Sequence, residues 1–354
     1  MGLALVVTDQ DSTAGPASTA RHESNDANEG DNGSAPLAVV TGASGFIGSY
    51  LCPALKQAGY RVLAVTRPGS GVTIAGDGID ELRTCPLQRA SLAEAFAGAA
   101  VVFHLAGIAH TGVRNKALLR EVNVQGTREV VRAAQAAKVG KLVYFSSVLA
   151  GRPGQSAYAE SKQQAEELVL AASGPQLSSV VLRPVNVYGI GMRGNLLTMA
   201  KLIAAGRLPP LPRLENRLAL VSVQDLCRAA IMAAAAPLVA AAPLSGAAPA
   251  AAGKVYTVSD GQTYTPTDIE AAIYRALGRN KPAWRTPRML FFAAAAAAEL
   301  AGRMGLTRSG FGLASYNNLV TDNPVSRQEL TDDTGYQPTL TLYDTLPDIL
   351  EPLR

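Results

Sequence analysis

The sequence predicts an α/β protein, a doubly wound parallel sheet with a smaller mixed α/β part carboxy-terminal to it. Three observations carry that expectation. Short β-branched runs alternate with helix-like stretches between residues 36 and 187, as βαβ units require. A glycine-rich turn follows the first of those runs and opens the first helix. A serine pair closes a later run and is followed by a tyrosine and a lysine four residues apart.

The strand candidates, in order, are LAVVTG, RVLAVTR, AVVFHLAG, KLVYFSS and SVVLRPV. Between them, residues 118–139 and 157–172 place apolar side chains at helical spacing. After residue 187 the pattern loosens. GRLPPLPRLENR reads as a Pro-rich loop, 233–253 as a low-complexity Ala/Pro surface connection, VYTVSD as a returning strand and 267–277 as a helix begun at Pro266. The expected organisation is therefore a dinucleotide-binding part over 37–187, to which later segments return, and a mainly substrate-binding part over 188–354. Residues 1–36 hold no aromatic residue and are rich in small polar ones, which predicts a disordered extension.

Composition narrows the function classes. The 354 residues are 48% hydrophobic and 17% charged, enough for about two packed units. Cys52, Cys85 and Cys227 are scattered and odd in number, so neither a disulfide framework nor a thiolate zinc site is encoded. His104 and His110 are too few for a metal cluster, and no metal is expected. The net charge of +4 comes without a dense Lys/Arg block, which argues against nucleic acid as a partner. It is an average over unlike parts. The first 36 residues carry six acids (Asp9, Asp11, Glu23, Asp26, Glu29, Asp31) against Arg21, a net of −5, leaving +9 on the remainder. No transmembrane segment, basic leader or myristoylation signal is apparent, so a cytoplasmic location is expected. The most apolar stretch, 289–298, reads as a buried or interfacial helix packed on the second part or on a dimer partner. With Trp284, Arg285 and Arg288 beside it, a membrane-surface helix is the alternative.

In TGASGFIG, Gly42 permits a tight strand-to-helix turn, Gly45 lets backbone approach a pyrophosphate and Gly48 allows close helix-to-sheet packing. Phe46 and Ile47 are expected on the helix's buried face, and Pro53 within that helix should kink it. The second strand ends Val65-Thr66-Arg67, where an NAD site wants a carboxylate for the ribose 2′-hydroxyl. Arg67 suits a 2′-phosphate, which favours NADP over NAD. Tyr158 and Lys162 share one helical face, where a nearby ammonium would lower the phenol's pKa and ready it for proton exchange with an alcohol or carbonyl.

Taken together, TGASGFIG, HLAG (104–107), NVQGT (123–127), FSS, YAESK and LRPVNVYG (182–189) resemble the extended short-chain dehydrogenase/reductase superfamily, in its NAD-dependent epimerase/dehydratase branch. The resemblance spans residue 37 to the end and implies a Rossmann-type sheet. It implies that Leu105, Ala106 and Gly107 line the cofactor with Gly42, Gly45, Phe46, Ile47 and Gly48. Ser147 and Tyr158 would handle the reacting oxygen, and Lys162 the nicotinamide ribose. Ser147 is preferred to Ser146 as the last serine before the VLAG turn, and Asn123 would support a helix bend. The second half is similar to nucleotide-sugar epimerases and reductases of surface-polysaccharide pathways. In that likeness Asn195 meets a pyrophosphate and Arg217 a phosphate or ribose.

Three positions depart from that pattern. Ser147 and Tyr158 are 11 positions apart, without the longer acidic loop that covers a sugar; Leu218 stands where arginine is favoured, with Arg217 displaced by one; Pro86 replaces an adenine-contacting aspartate. The resulting expectation is an NAD(P)-dependent oxidoreductase or epimerase acting on a nucleotide-linked sugar. A reductase of an apolar, steroid- or flavonoid-like carbonyl and a dinucleotide-binding protein without turnover are the alternatives.

Overall fold

The computed structural model describes residues 35–68, 78–109, 115–152, 154–236, 253–304, 312–322 and 325–353. Residues 1–34 of the predicted extension, 237–252 of the Ala/Pro stretch and His110 lie outside the described residues. Pro36–Arg354 form one compact unit, and the boundary drawn at 187 falls within a short strand.

Nine strands are present among the described residues: β1 (Leu37–Thr41), β2 (Arg61–Thr66), β3 (Glu81–Thr84), β4 (Ala99–His104), β5 (Lys141–Phe145), β6 (Ser178–Pro184), β7 (Asn186–Tyr188), β8 (Leu220–Ser222) and β9 (Lys254–Val258). Seven form a parallel sheet in the order β3-β2-β1-β4-β5-β6-β9, and β7 and β8 pair separately, also in parallel. The order reverses direction between β1 and β4, opening a crevice at their carboxyl ends where doubly wound sheets bind ligands.

The period-2 alternation of the strands sends side chains to two apolar layers. Ala38, Val40, Phe103, Val143 and Phe145 face one layer, closed by helices Gly48–Gln57 and Val223–Ala235. Val39, Val102, Leu142 and Tyr144 face the other, closed by helices Arg89–Ala95, Gly126–Ala136 and Ala157–Ala171. A third cluster gathers helices Asn195–Ala204, Pro266–Ala276, Arg288–Arg303 and Leu342–Leu350 around Tyr188, Leu220 and Tyr264. The carboxy-terminal half thus contributes both to this cluster and, through β9 and helix Val223–Ala235, to the sheet.

Helix Gly48–Gln57 contains Pro53 and buries Leu51, Cys52 and Leu55. One local expectation is corrected. Phe46 and Ile47 precede that helix and are half-buried. Phe46 sets its ring edge-on to Tyr50, with centroids 5.9 Å apart.

Buried Asp225 holds the carboxy-terminal segment to the sheet. Its carboxylate accepts from Thr339 N, Thr339 Oγ1 and Leu340 N at 3.0 to 3.2 Å and pairs with Arg228 at 2.8 Å. Removing one partner of a buried charged network leaves the others unpaired. Asp225→Ala is expected to cost about 3 kcal/mol, read as a lower urea midpoint, with helix Leu342–Leu350 becoming the earliest segment to exchange its amide hydrogens.

Candidate active site

The site is assembled at the carboxyl ends of β1, β4 and β5. Ser147 directly follows the Phe145-Ser146 end of β5 and caps a single 3₁₀ turn, Val148–Gly151, its Oγ accepting from Leu149 N at 3.2 Å. Ser156 then caps helix Ala157–Ala171, whose first turn carries Tyr158 and whose second carries Lys162, both buried. This short connection brings the Ser147 side chain near enough to the Tyr158 phenol to lower its pKa. The neighbouring Ser146 is buried, but its backbone N donates to Leu182 O and its hydroxyl has no protein partner.

Lys162 does not point its ammonium where the helical spacing suggested. Nζ donates to Phe145 O at 2.7 Å and to Tyr144 Oη at 3.1 Å, and lies 4.6 Å from the centre of the Tyr144 ring. The expectation of a phenol acidified by its neighbour is therefore corrected. Burial pushes the Tyr158 phenol up to about 12, and the nearby Ser147 side chain only partly opposes it. Burial also pushes Lys162 down to about 8, against the pull of the Glu166 carboxylate one turn further on. Glu166 is itself buried and accepts from Arg183 Nε at 2.9 Å and Nη2 at 2.6 Å.

A buried polar chain runs from the lysine to the first strand. The Tyr144 ring lies against His104, with centres 5.5 Å apart, Thr127 Oγ1 donates to Asn123 O at 2.6 Å, and His104 Nε2 lies 3.0 Å from Thr127 Oγ1. Since the threonine proton is committed to Asn123 O, Nε2 is the donor to Thr127. A neutral ring then accepts at Nδ1 from Thr41 Oγ1, 2.7 Å away. Burial, and then the charge of Lys162, push His104 down to about 3, consistent with that neutral tautomer. Asn123 lies in a π-helical segment, Arg120–Gln125. It bridges Ile108 N at 2.7 Å and Ser161 Oγ at 3.0 Å, so the helix irregularity and the loop after β4 are fixed by one side chain.

The residues around β1 fit a dinucleotide. Gly42 has φ +75°, and a Cβ there would sit 2.6 Å from Ala106 N, so only glycine lets this turn lie against Leu105 and Ala106. A Cβ on Gly48 would meet Ala43 O at 2.5 Å, so the helix begins tightly against the loop. Gly45 is exposed between them. The helix start has no side-chain cap and no acidic residue in its first turn, so its positive dipole end faces no carboxylate of its own, although Ser49 N and Tyr50 N already donate to Gly45 O and Ile47 O. Gly107 packs beside Asn123 Oδ1, and Arg67 is exposed immediately after β2.

The two substrate candidates lie elsewhere. Asn195 is the exposed first residue of helix Asn195–Ala204. Arg217 lines a small recess with Ser259, Gly261, Gln262, Thr263 and Val325, while Leu218 is buried and bridged to Tyr264. A larger cavity of about 420 Å³, lined by Arg213, Asn216, Arg288 and Asp322 among others, had no counterpart in the sequence reading. Among the described residues no group of three His, Cys, Asp or Glu side chains is placed to hold a metal ion.

A parallel sheet with a glycine turn at its switch point, beside a half-buried serine and a buried tyrosine and lysine, defines an NAD(P)-dependent enzyme of the short-chain dehydrogenase/reductase type. The chain belongs to the NAD dependent epimerase/dehydratase family, whose profile matches residues 38–243. It is 28% identical over 258 residues to a 2-alkyl-3-oxoalkanoate reductase of Stenotrophomonas maltophilia, covering 68% of this chain and 75% of that one. It is also 28% identical over 282 residues, 74% of this chain and 78% of the relative, to a 4-hydroxy-2-methyl-3-oxo-4-farnesyl-3,4-dihydroquinoline-1-oxide ketoreductase of Stigmatella aurantiaca. Among solved structures, UDP-glucose 4-epimerase of Thermotoga maritima with UDP-glucose superposes with a TM-score of 0.67 at 20% identity, covering 89% of this chain and 97% of that one. That likeness concerns the fold.

The His104 geometry makes a pH prediction. Its folded value near 3 lies below the ordinary 6.5, so between those two pH values the unfolded chain takes up a proton that the folded chain refuses. Stability is expected to fall as pH drops from 6.5 toward 3, and this contribution is absent above 6.5. In His104→Asn the loss between about pH 7 and about pH 4 should be smaller than in the parent, as measured by urea unfolding at each pH. Equal losses would remove His104 from the account.

Proposed function

We propose that the protein reduces a ketone carried on an apolar chain or ring, or oxidises the matching alcohol, with NADP as the preferred cofactor. The observation that carries the chemistry is the placing of Ser147, at the end of β5, next to buried Tyr158 and Lys162 on the helix that follows, at the carboxyl edge of the sheet. In reduction, the substrate oxygen is received by the Ser147 and Tyr158 hydroxyls, which polarise the carbonyl. The bound nicotinamide supplies the hydride that reaches the carbonyl carbon. Tyr158, held protonated by burial, gives its proton to the oxygen as negative charge develops there. Lys162, held by Phe145 O and Tyr144 Oη, has one further N–H, which would go to the ribose of the cofactor. Gly42, Gly45, Gly48 and the helix start take the pyrophosphate, and Leu105–Gly107 form the opposite wall.

Two observations support an apolar substrate. The 3₁₀ turn after Ser147 carries Val148 and Leu149, and the whole connection to Tyr158 has no acidic residue of the kind that would grip sugar hydroxyls. Both relatives described above are named for oxo compounds bearing alkyl or farnesyl groups. A nucleotide-linked sugar, reduced or epimerised through a transient ketone, is the second reading. It is favoured by Arg217 in a recess lined by Ser259, Gln262 and Thr263, and by the named ligand of the T. maritima structure.

Oxidation of NADPH is the direct assay, with a 3-oxo acid bearing alkyl chains and a UDP-hexose as competing substrates. Tyr158→Phe is expected to lower kcat at least about 100-fold while leaving cofactor binding intact; an unchanged rate defeats the mechanism. Arg67→Ala is expected to weaken NADP binding about tenfold or more and NAD binding little, by calorimetric titration. A wild-type preference for NAD would overturn the assignment of Arg67.

A further inference from the structure

Helix Arg288–Arg303 is apolar on two opposite faces. Phe291 and Ala295 are buried against the third cluster, where Phe291 lies 6.0 Å from the Tyr316 ring centre. On the far side, Met289, Ala293, Ala297, Leu300 and, at the helix end, Met304 recur at spacings of four, four, three and four, with Leu290 beside them. Met289 is 79% exposed, Leu290 62%, Leu300 60%, Met304 64% and Trp284, just before the helix, 59%. Six of the ten large apolar side chains most exposed among the described residues fall between 284 and 304, the sixth being Phe292. A helix apolar all round is ordinarily enclosed by protein or lipid.

Charge and length select the occupant. Between 284 and 304 the sequence has three arginines and one acid, Glu299; Arg285 is paired with Glu270, and the Glu299 carboxylate accepts from Leu313 N at 3.0 Å. The chain carries +4 in all and +9 beyond residue 36, a net positive charge that favours an anionic surface. Sixteen residues of helix span about 24 Å, and no described helix is long and apolar enough to cross a membrane, so the segment suits lying in a surface rather than traversing it.

We propose that helix Arg288–Arg303, with Trp284, docks the protein on the surface of an anionic lipid bilayer. Met289, Leu290, Leu300 and Met304 enter the boundary between head groups and acyl chains, and Trp284 sits at the head-group level. The inference concerns a surface outside the Ser147–Tyr158–Lys162 site and holds whichever carbonyl is reduced.

Trp284 is the sole tryptophan of the chain, so its fluorescence reports this surface alone. Full-length protein is to be floated with vesicles of phosphatidylcholine, and of phosphatidylcholine mixed with phosphatidylglycerol. Expected are co-flotation with the mixed vesicles, weaker binding to phosphatidylcholine, and a blue shift of Trp284 emission on binding. Met289→Glu with Leu300→Glu, both on the exposed face, should cut the bound fraction at least about tenfold. The thermal midpoint and NADPH binding of that variant should stay unchanged. No flotation of the wild type with either vesicle overturns the proposal. So does equal flotation of the variant, or a dimer that the double substitution dissociates while vesicles bind neither protein.

Discussion

A lysine ammonium buried in a protein loses its hydration and has to be met by oxygen atoms, and at Lys162 that requirement organises the whole carboxyl edge of the sheet. Its two acceptors are Phe145 O, at the end of β5, and Tyr144 Oη, from the face of β5 opposite to Phe145. The Tyr144 ring lies against His104, with centres 5.5 Å apart, and His104 is hydrogen-bonded to Thr127 on one side and on the other to Thr41, the residue before Gly42. Each hydroxyl has one proton to give, so the direction of every bond follows from the next. The chain links β1, β4, β5 and two helices of one layer. It thereby holds the glycine turn in fixed relation to the lysine, which is the preorganisation a hydride transfer between two bound partners demands.

The same burial sets the protonation of the reacting groups. Removing water disfavours both phenolate and ammonium, so Tyr158 is pushed up to about 12 while Lys162 is pushed down to about 8. A proton donor that holds its proton at neutral pH suits reduction, and the buried Glu166 opposes the loss of charge on the lysine. Arg183 grips Glu166 with two nitrogens and reaches from β6 toward Gly151, where an added Cβ would lie 3.5 Å from its Nη1. The carboxylate that supports the lysine and the turn that carries Ser147 therefore share one arginine.

What was legible in the sequence was whatever repeats with a structural period. Strands β1, β2, β4, β5 and β6 alternate or run apolar because they are covered on both faces, and the glycines of the turn stand where backbone must pass close to backbone. Strand β3 was not anticipated, since all four residues of ELRT are exposed at an edge and carry no apolar alternation. Strands β7 and β8 are three residues each, too short to show a period. The direction of the Tyr158 shift was misread for a different reason: i, i+4 spacing places two side chains on one helical face, but whether the ammonium turns toward the phenol depends on acceptors that β5 supplies. His104 and Tyr144 looked like strand residues. Their ring contact and the bond from His104 to Thr127 exist only once three elements are assembled.

The fold uses one device three times to fix one part of the chain to another. Glu166, Asp225 and Glu270 are each almost wholly buried, each is paired with an arginine, and each fixes a stretch of chain distant in sequence. Glu270 is the most demanding case, accepting from Leu211 N at 2.7 Å and pairing with both Lys281 and Arg285. A buried carboxylate gains from two cations only if they stay in place, so the loop from Leu277 to Pro287 is held against helix Pro266–Ala276. Two of the positive charges nearest Trp284 are thereby drawn inward. The segment that follows is left with an apolar outer face in a fixed orientation, an arrangement that costs free energy in water alone and is recovered only against a partner that is itself apolar at that depth.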